Sequence, residues 1–460
     1  MPRITPRPTN PLPRRACDSQ RYGSNPTLVT RKAARVTDHG TRHSRAAARS
    51  ERAPRGIARH GRLRSHPWAT FGKVVASIAI VAVVSVLGIA GVAAANLVSD
   101  TKKSFHLSGE KAQGIPNIAA LKGGVNVLIA ASDTRTDQGG SWGPLDDSEG
   151  AGNNDVTMLL HLSADHTHAI VVSFPRDLMV PIPACGDNDA QDQAQFNTTL
   201  SEGGMSCVVD TVTQMTGIQI PFAALITFQG VVAMSNAVGG VPVCIGGDGI
   251  DDPDTSLNLP AGEVTLQGQD AAEFLRTRHG VGDGSDLARI SNQQVFLSSL
   301  VRTIMSNGTL TNPAKVWGLA KATTSNVQLS DSLNNVTTLY QIAMALKDLN
   351  WNNIAFVQYP TLEDPDNINR VIPDTDSATA LNQAILNDQY IQITGGTGDG
   401  SVTSSTQPAT QPSATSTPSK DKKSKSTTTA TPTPTSTPVQ LSDNVHGQTA
   451  ATQTCSNGAG

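Results

Sequence analysis

Short apolar runs of strand length stand at Val125–Ala130 (VNVLIA), Val156–Leu162 (VTMLLHL) and His168–Phe174 (HAIVVSF). Each is too short for a stable helix and rich in β-branched residues. Helical spacing takes over at Cys207–Thr216, Phe228–Ala237, Gln269–Arg278, Ala288–Met305 and Leu333–Lys347, before a further strand over Asn353–Tyr359. Strands interleaved with helices predict one α/β domain over residues 123–394, large enough to bury a substantial core.

One run does not fit a globular core. Val74–Val98 carries no charge and is dominated by Val, Ala, Ile and Leu. In a helix rising ~1.5 Å per residue it is long enough for a ~30 Å hydrocarbon layer. A cleaved signal peptide has a shorter apolar stretch nearer the N-terminus, so a transmembrane anchor is the expectation. Residues 1–73 hold 17 Lys and Arg against Asp18, Asp38 and Glu51, a charge of +14 within a chain whose total is -3. The positive-inside rule therefore puts this basic, Pro- and Ser-rich, disordered tail in the cytoplasm and everything after Val98 outside. The tail's charge suits anionic lipid beside the span. It has no helix-turn-helix pattern, and no nucleic-acid partner is expected. Residues 99–122 read as a stem, and 395–460, rich in Ser, Thr and Pro, as a disordered extracellular tail.

Cysteine usage agrees with that topology. Cys17 falls in the cytoplasmic tail, and Cys185, Cys207, Cys244 and Cys455 in an oxidising compartment. Cys185 and Cys207 bracket an Asp/Gln-rich stretch and are a candidate bridge, although sequence alone leaves the connectivity open. No Cys or His spacing suits a structural zinc site.

Charge is distributed unusually in the folded region. From Gly124 to Leu300 there is no lysine, 22 acids, and only five arginines: Arg135, Arg176, Arg276, Arg278 and Arg289. Guanidinium is the cation suited to bidentate phosphate recognition. The competing reading pairs each arginine with a local carboxylate, which is harder to sustain for all five. Arg276 and Arg278 alternate, so a helix that becomes extended there turns both to one face. Arg289 opens the next helix with Gln293 one turn on. In Ser-Phe-Pro-Arg-Asp, Pro175 ends a strand and leaves Arg176 at its tip. Asp133 follows the first strand and Asp155 precedes the second, so antiparallel pairing brings both carboxylates to one sheet edge. Two hard oxygen ligands describe a magnesium site.

Taken in order, Asn126–Arg135 (NVLIAASDTR), Asn154–Leu160 (NDVTMLL), Ser173–Pro183 (SFPRDLMVPIP), Asn197 with Glu202-Gly203-Gly204, Asn236–Val243 (NAVGGVPV), Leu259–Gly268 (LPAGEVTLQG), Phe274–Arg278 (FLRTR) and Asp286–Gln294 (DLARISNQQ) resemble the LytR-CpsA-Psr family of cell-wall glycopolymer ligases. The resemblance implies a single extracytoplasmic domain with a central mixed β-sheet flanked by helices, preceded by one transmembrane helix. It implies transfer of a glycopolymer, with phosphate, from a polyprenyl-pyrophosphate carrier to peptidoglycan at the cell membrane. It also implies that Asp133 and Asp155 hold Mg²⁺ (or Mn²⁺). Arg176, Arg276, Arg278, Arg289 and Gln293 would grip the pyrophosphate, with Arg135 nearby; Asp133, Arg176, Arg276 and Arg278 would be catalytic. The lipid would lie in an apolar tunnel that the helix around Gly230–Ala237 helps to line. Asp133 or Asp177 is a candidate base, and Asp177 equally a structural partner of an arginine. The alternatives are a polyprenyl-pyrophosphate pyrophosphatase and a non-catalytic glycan binder or regulator. Two departures stand out: the Gly/Asp-rich insertion Thr136–Asn153, read as a surface loop, and Asn292 where a basic residue is common.

Overall fold

The computed structural model describes residues 103–110, 124–404 and 437–459, apart from 137, 139–141, 143–147, 149, 307–308, 310–311 and 348. The expected cytoplasmic tail and the candidate span Val74–Val98 lie outside the described residues. No helix among the described residues is long and apolar enough to cross a membrane.

The three apolar runs form β1 (Val125–Ser132), β2 (Asn154–Leu162) and β3 (Ala169–Phe174). Two short hairpin strands follow, β4 (Met179–Ile182) and β5 (Gln191–Gln195), then helix α1 (Thr199–Thr216), β6 (Phe222–Ile226) and α2 (Phe228–Val238). Next come β7 (Val241–Ile245), β8 (Ile250–Asp252), β9 (Leu257–Leu259), β10 (Gly262–Leu266), α3 (Gln269–Arg276) and α4 (Asp286–Met305). The remainder comprises α5 (Pro313–Asn326), β11 (Val327–Leu329), α6 (Val336–Lys347), β12 (Ile354–Gln358), β13 (Thr361–Asp364), β14 (Asn367–Pro373) and α7 (Thr375–Leu386). Five further strands close the fold: the two-residue pair Ile391–Gln392 and Val439–Gln440, with β15 (Ser401–Thr403), β16 (Gly447–Thr449) and β17 (Thr454–Ser456).

A seven-stranded mixed sheet runs in the order β11-β6-β1-β2-β3-β12-β16. β1 and β2 are antiparallel, β1 and β6 parallel, and β3 and β12 parallel. Alternation along the strands feeds two cores. Leu128, Ala130, Ile170 and Val172 meet Val208, Val212, Leu381 and Ile385 of α1 and α7. Val125, Val127, Ala169 and Val171 face the other way, toward Leu297 and Val301 of α4 and Ile342 of α6. A second, four-stranded sheet, β10-β7-β17-β15, packs its Val241, Val243 and Leu266 on Phe274 of α3 and Phe296 of α4. Helix α4 thus serves both sheets. The stem segment Lys103–Glu110 lies along β11, with Phe105 N donating to Leu329 O at 3.2 Å and Leu107 buried.

The tail reading of residues 395–460 is corrected on both sides of its low-complexity centre. Residues 395–404 and 437–459 pack: β16 pairs with β12, and β17 lies between β7 and β15. Leu441, Val445, Ala450 and Ala451 are buried. These strands are only three residues long and take their pairing from sheet edges that already exist, so they carry no periodicity of their own. Gly398 and Gly400 pass against α4, where a Cβ would strike Ser291 and the Ala288 carbonyl. Cys185 is bonded to Cys207, and Cys244 to Cys455 across 211 residues. Cys455→Ser should lower stability by about 2–5 kcal/mol through the larger unfolded ensemble. Equilibrium denaturation with the Cys185–Cys207 bond intact measures this.

Candidate active site

One strand end and two helix ends converge on one carboxylate. Asp286 sits in the first turn of α4, behind Ser285, whose hydroxyl caps Ala288 N at 3.1 Å. Its side chain is buried, and Oδ1 lies 2.6 Å from Arg289 Nη2, 3.2 Å from Arg278 Nη2 and 3.9 Å from Arg176 Nε. Oδ2 accepts from Arg176 N at 3.1 Å. Burial pushes the Asp286 carboxyl up, but Arg289, then Arg278 and Arg176, outweigh burial and hold it below the usual carboxylate range.

The neighbouring acids repeat this arrangement. Asp155 Oδ1 accepts from Arg176 Nη1 at 2.6 Å, while its main-chain carbonyl accepts from Arg289 Nη2 at 2.7 Å. Asp177 accepts from Arg278 at 3.4 Å, from Arg370 at 3.3 Å and from Gln195 at 2.7 Å. That makes Asp177 a structural partner of arginines. Burial opposes the Arg176 charge, yet Asp155, Asp286 and Asp177 raise its pKa; burial together with the like charge of Arg289 and Arg176 lowers that of Arg278. The Nε atoms of Arg176, Arg278 and Arg289 are buried without a hydrogen-bond acceptor among the described residues. Arg370, on β14, lay beyond the lysine-free stretch, so nothing in the arginine spacing singled it out.

Helix α3 ends at Arg276, and Thr277 departs in an extended conformation (ψ 138°). The expected common face of Arg276 and Arg278 does not follow. Arg276 pairs with Glu273 at 2.8 Å and lies 4.7 Å over the Phe228 ring, whereas Arg278 turns to Asp177 and Asp286. Gln293 lines a cleft beside Arg276 and Arg289 and is also tied to the end of α3. Its Nε2 donates to Leu275 O at 2.8 Å, and Asn292 Nδ2 donates to Phe274 O at 3.0 Å. The two amides satisfy carbonyls that α3 leaves open at its C-terminus, which fixes where Arg276 and Arg278 emerge. Asn292 is fully buried, so an uncompensated cation in its place would be costly.

Asp133 and Asp155 come to one edge through the antiparallel β1–β2 ladder, whose irregular last step pairs Ser132 with Asn154. Asp133 Oδ1 accepts from Ser148 Oγ and from Asn153 N, both at 2.7 Å. Gly152 is required there: its φ is +67°, and a Cβ would stand 2.5 Å from Asp133 Oδ1. Arg135 follows on the same segment, its amide donating to Ser148 O at 3.1 Å. The described part of the insertion is not merely a surface loop. Trp142 is buried 4.9 Å from Phe228, and Gln138 Oε1 accepts from Gln229 N at 3.1 Å.

Behind this edge an apolar cleft of about 150 Å³ runs between sheet and helices. Ile129, Met158, Val231, Met234 and Leu300 line it, and Asp155, Arg276, Arg289 and Gln293 stand on its polar side. On the other side of the cluster, Arg176, Arg278, Asp286 and Arg370 wall an open cleft of about 530 Å³. The arginines therefore stand between an apolar cleft and one walled by charged side chains.

Asp286 contributes stability that is complete above the unfolded carboxyl value of ~3.9 and is lost as pH falls through its lower folded value. Asp286→Asn should cost roughly 3–5 kcal/mol at pH near 7 by leaving three cations poorly compensated, and less in acid. Urea denaturation at both pH values checks this; an equal loss at each would exclude the Coulombic account.

The LytR_cpsA_psr family model matches residues 89–387. Cell wall biosynthesis protein LcpA of Corynebacterium glutamicum is 31% identical over 275 residues, covering 54% of this chain and 52% of that protein. The probable cell wall biosynthesis protein LcpB of the same organism is 30% identical over 232 residues, covering 49% and 52%. Polyisoprenyl-teichoic acid–peptidoglycan teichoic acid transferase TagU of Oceanobacillus iheyensis is 26% identical over 218 residues, covering 47% and 62%. The chain spans about half the length of the first two of these relatives. Among solved structures, protein gbs0355 from Streptococcus agalactiae aligns with a TM-score of 0.49 at 19% identity, covering 57% of this chain and 87% of that one. With its model matched from before β1 through α7, the chain belongs to the LytR_cpsA_psr family.

Proposed function

We propose that this chain transfers a glycopolymer, together with one phosphate, from a polyprenyl-pyrophosphate carrier to peptidoglycan. The observation that carries this reading is the arginine cluster between an apolar cleft and an open polar one. A carrier of this kind has the same order of parts: an apolar chain, a diphosphate and a hydrophilic glycan. The relatives named as cell wall biosynthesis proteins and as a teichoic acid transferase support the same reaction class.

In the proposed step, a hydroxyl oxygen of the wall polymer attacks the phosphorus that bears the glycan. The bridging P–O bond breaks, polyprenyl phosphate leaves, and the hydroxyl proton passes to a base. Arg176, Arg278 and Arg289 bind the phosphoryl oxygens and neutralise charge as it develops. Arg276, held over Phe228, marks the boundary with the lipid, and Gln293 keeps α3 in place. Asp286 is unsuited as the base, because three cations hold its carboxyl in the ionised form.

Asp133 and Asp155 are the carboxylates proposed to hold Mg²⁺ (or Mn²⁺). Two hard oxygen donors at one strand edge, in a turn where Gly152 leaves no room for a side chain, suit a small oxophilic cation. Such an ion supplies Lewis-acid stabilisation of phosphoryl charge. The single span Val74–Val98, with a cytoplasmic N-terminus and this domain outside, would set the cleft beside its lipid substrate.

Purified full chain, incubated with a lipid-pyrophosphate-linked glycan, peptidoglycan and Mg²⁺, should attach glycan covalently to the wall. Free glycan phosphate without attachment would identify hydrolysis instead. Arg278→Lys, which keeps the charge and loses the fork, should lower kcat/KM about 10²-fold. Chelation with EDTA should abolish transfer, and Mg²⁺ should restore it; full activity in EDTA would remove the metal from the reading.

A further inference from the structure

At the end of the central sheet away from the arginines lies a polar cluster that the transfer reaction does not use. His161, near the end of β2, is buried, with Nδ1 2.8 Å from Asn126 Oδ1. Asn126 Nδ2 donates to Gln219 O at 2.9 Å, which fixes the amide, so Oδ1 accepts and His161 Nδ1 carries a proton. His161 Nε2 then faces Asp388 Oδ1 at 3.1 Å. A lone pair cannot stably face a carboxylate oxygen across that distance. Either a second proton or a metal ion must lie between them.

His168 distinguishes the two. It is 2% exposed just before β3, and its Nε2 is buried without a partner among the described residues. Its Nδ1 lies 3.5 Å from Thr167 Oγ1, a hydroxyl that donates to Asp165 at 2.7 Å and therefore accepts from the ring. That tautomer leaves the Nε2 lone pair for a ligand. One ligand atom each from His161, His168 and Asp388 lie within 4.8 Å of one another. A proton would satisfy His161 and Asp388 but leave His168 Nε2 buried with no well-formed hydrogen bond among the described residues, the main chain of Gln389 being its nearest polar neighbour, and that is costly. A metal ion employs all three.

We infer that His161, His168 and Asp388 form a binding site for a zinc-class divalent ion. Two imidazoles and a carboxylate, with a remaining position open to water, match that ion's preferences. The Nδ1–H bond to Asn126 is the outer contact that orients a ligating imidazole. Asp388 is held ready to ligate, since it follows α7 at φ 55° and Ala164 N donates to both its carboxylate oxygens at 3.3 and 3.1 Å. The ion would clamp the chain leaving α7 onto the β2–β3 end of the sheet. Two residues later Tyr390 stacks on His168 at 4.2 Å, and the chain pairs Ile391–Gln392 with Val439–Gln440. A cleft of about 390 Å³ beside His168 and Tyr390 gives solvent access.

Tag-free full chain, stripped of metal and kept in excess Mg²⁺ to fill hard oxygen sites, is titrated calorimetrically with Zn²⁺ alone. Thermal unfolding is followed in parallel, and Co²⁺ serves as an optical probe of nitrogen ligation. One equivalent of Zn²⁺ should bind and raise the Tm. Asp388→Asn and His168→Gln should each lose that equivalent and the Tm rise, and Asn126→Ser should weaken binding ~10–100-fold. No Zn²⁺ uptake by the unmodified chain would overturn the inference in favour of a metal-free imidazolium–carboxylate pair. Unchanged uptake by folded His168→Gln and Asp388→Asn would overturn it equally.

Discussion

The site depends on one buried carboxylate at the start of α4. Asp286 holds three guanidiniums from three segments within 4 Å of its oxygens, which like charges would not tolerate unaided. At ~4 Å two unit charges of one sign repel by about 4 kcal/mol under an effective dielectric near 20. The N-terminal turn of a helix stabilises the anion further. The acid therefore organises the cations before any phosphate arrives, and the reorganisation that a mobile cluster would require on binding is already complete.

Helix α4 carries this constraint into the rest of the fold. Its first turn supplies Asp286 and Arg289, its second turn secures the end of α3 through Asn292 and Gln293, and its body fills the space between the sheets. The relative position of Arg276 and Arg278 is thus inherited from amides that need never touch substrate. The Asn at position 292 is accounted for by the Phe274 carbonyl it satisfies.

Much of this was legible in the chain. Short, nearly continuous apolar runs marked β1, β2 and β3, because both faces of a central strand are buried in opposite cores. The rationing of arginine in a lysine-free stretch marked four residues that do line the two clefts. What was hidden depends on long-range contact. Arg370 joins Asp177 across 193 residues, and no local pattern announces such a partner. Trp142 looked like a loop residue because its packing surface, Phe228, belongs to α2. The strands at 447–449 and 454–456 are too short and too polar to be seen without the edges they complete. A shared face for Arg276 and Arg278 assumed extended backbone at both residues; the helix persists through the first.

The strands that cover the outer edges of β12 and β7 follow every helix in sequence. A growing chain that has emerged only through residue 404 already holds the arginine cluster and α4, but keeps two sheet edges with unpaired backbone groups. Such edges recruit other strands. The interval before residues 447–456 arrive is therefore when this protein is most exposed to misassociation, and the Cys244–Cys455 bond afterwards makes the closure hard to reverse.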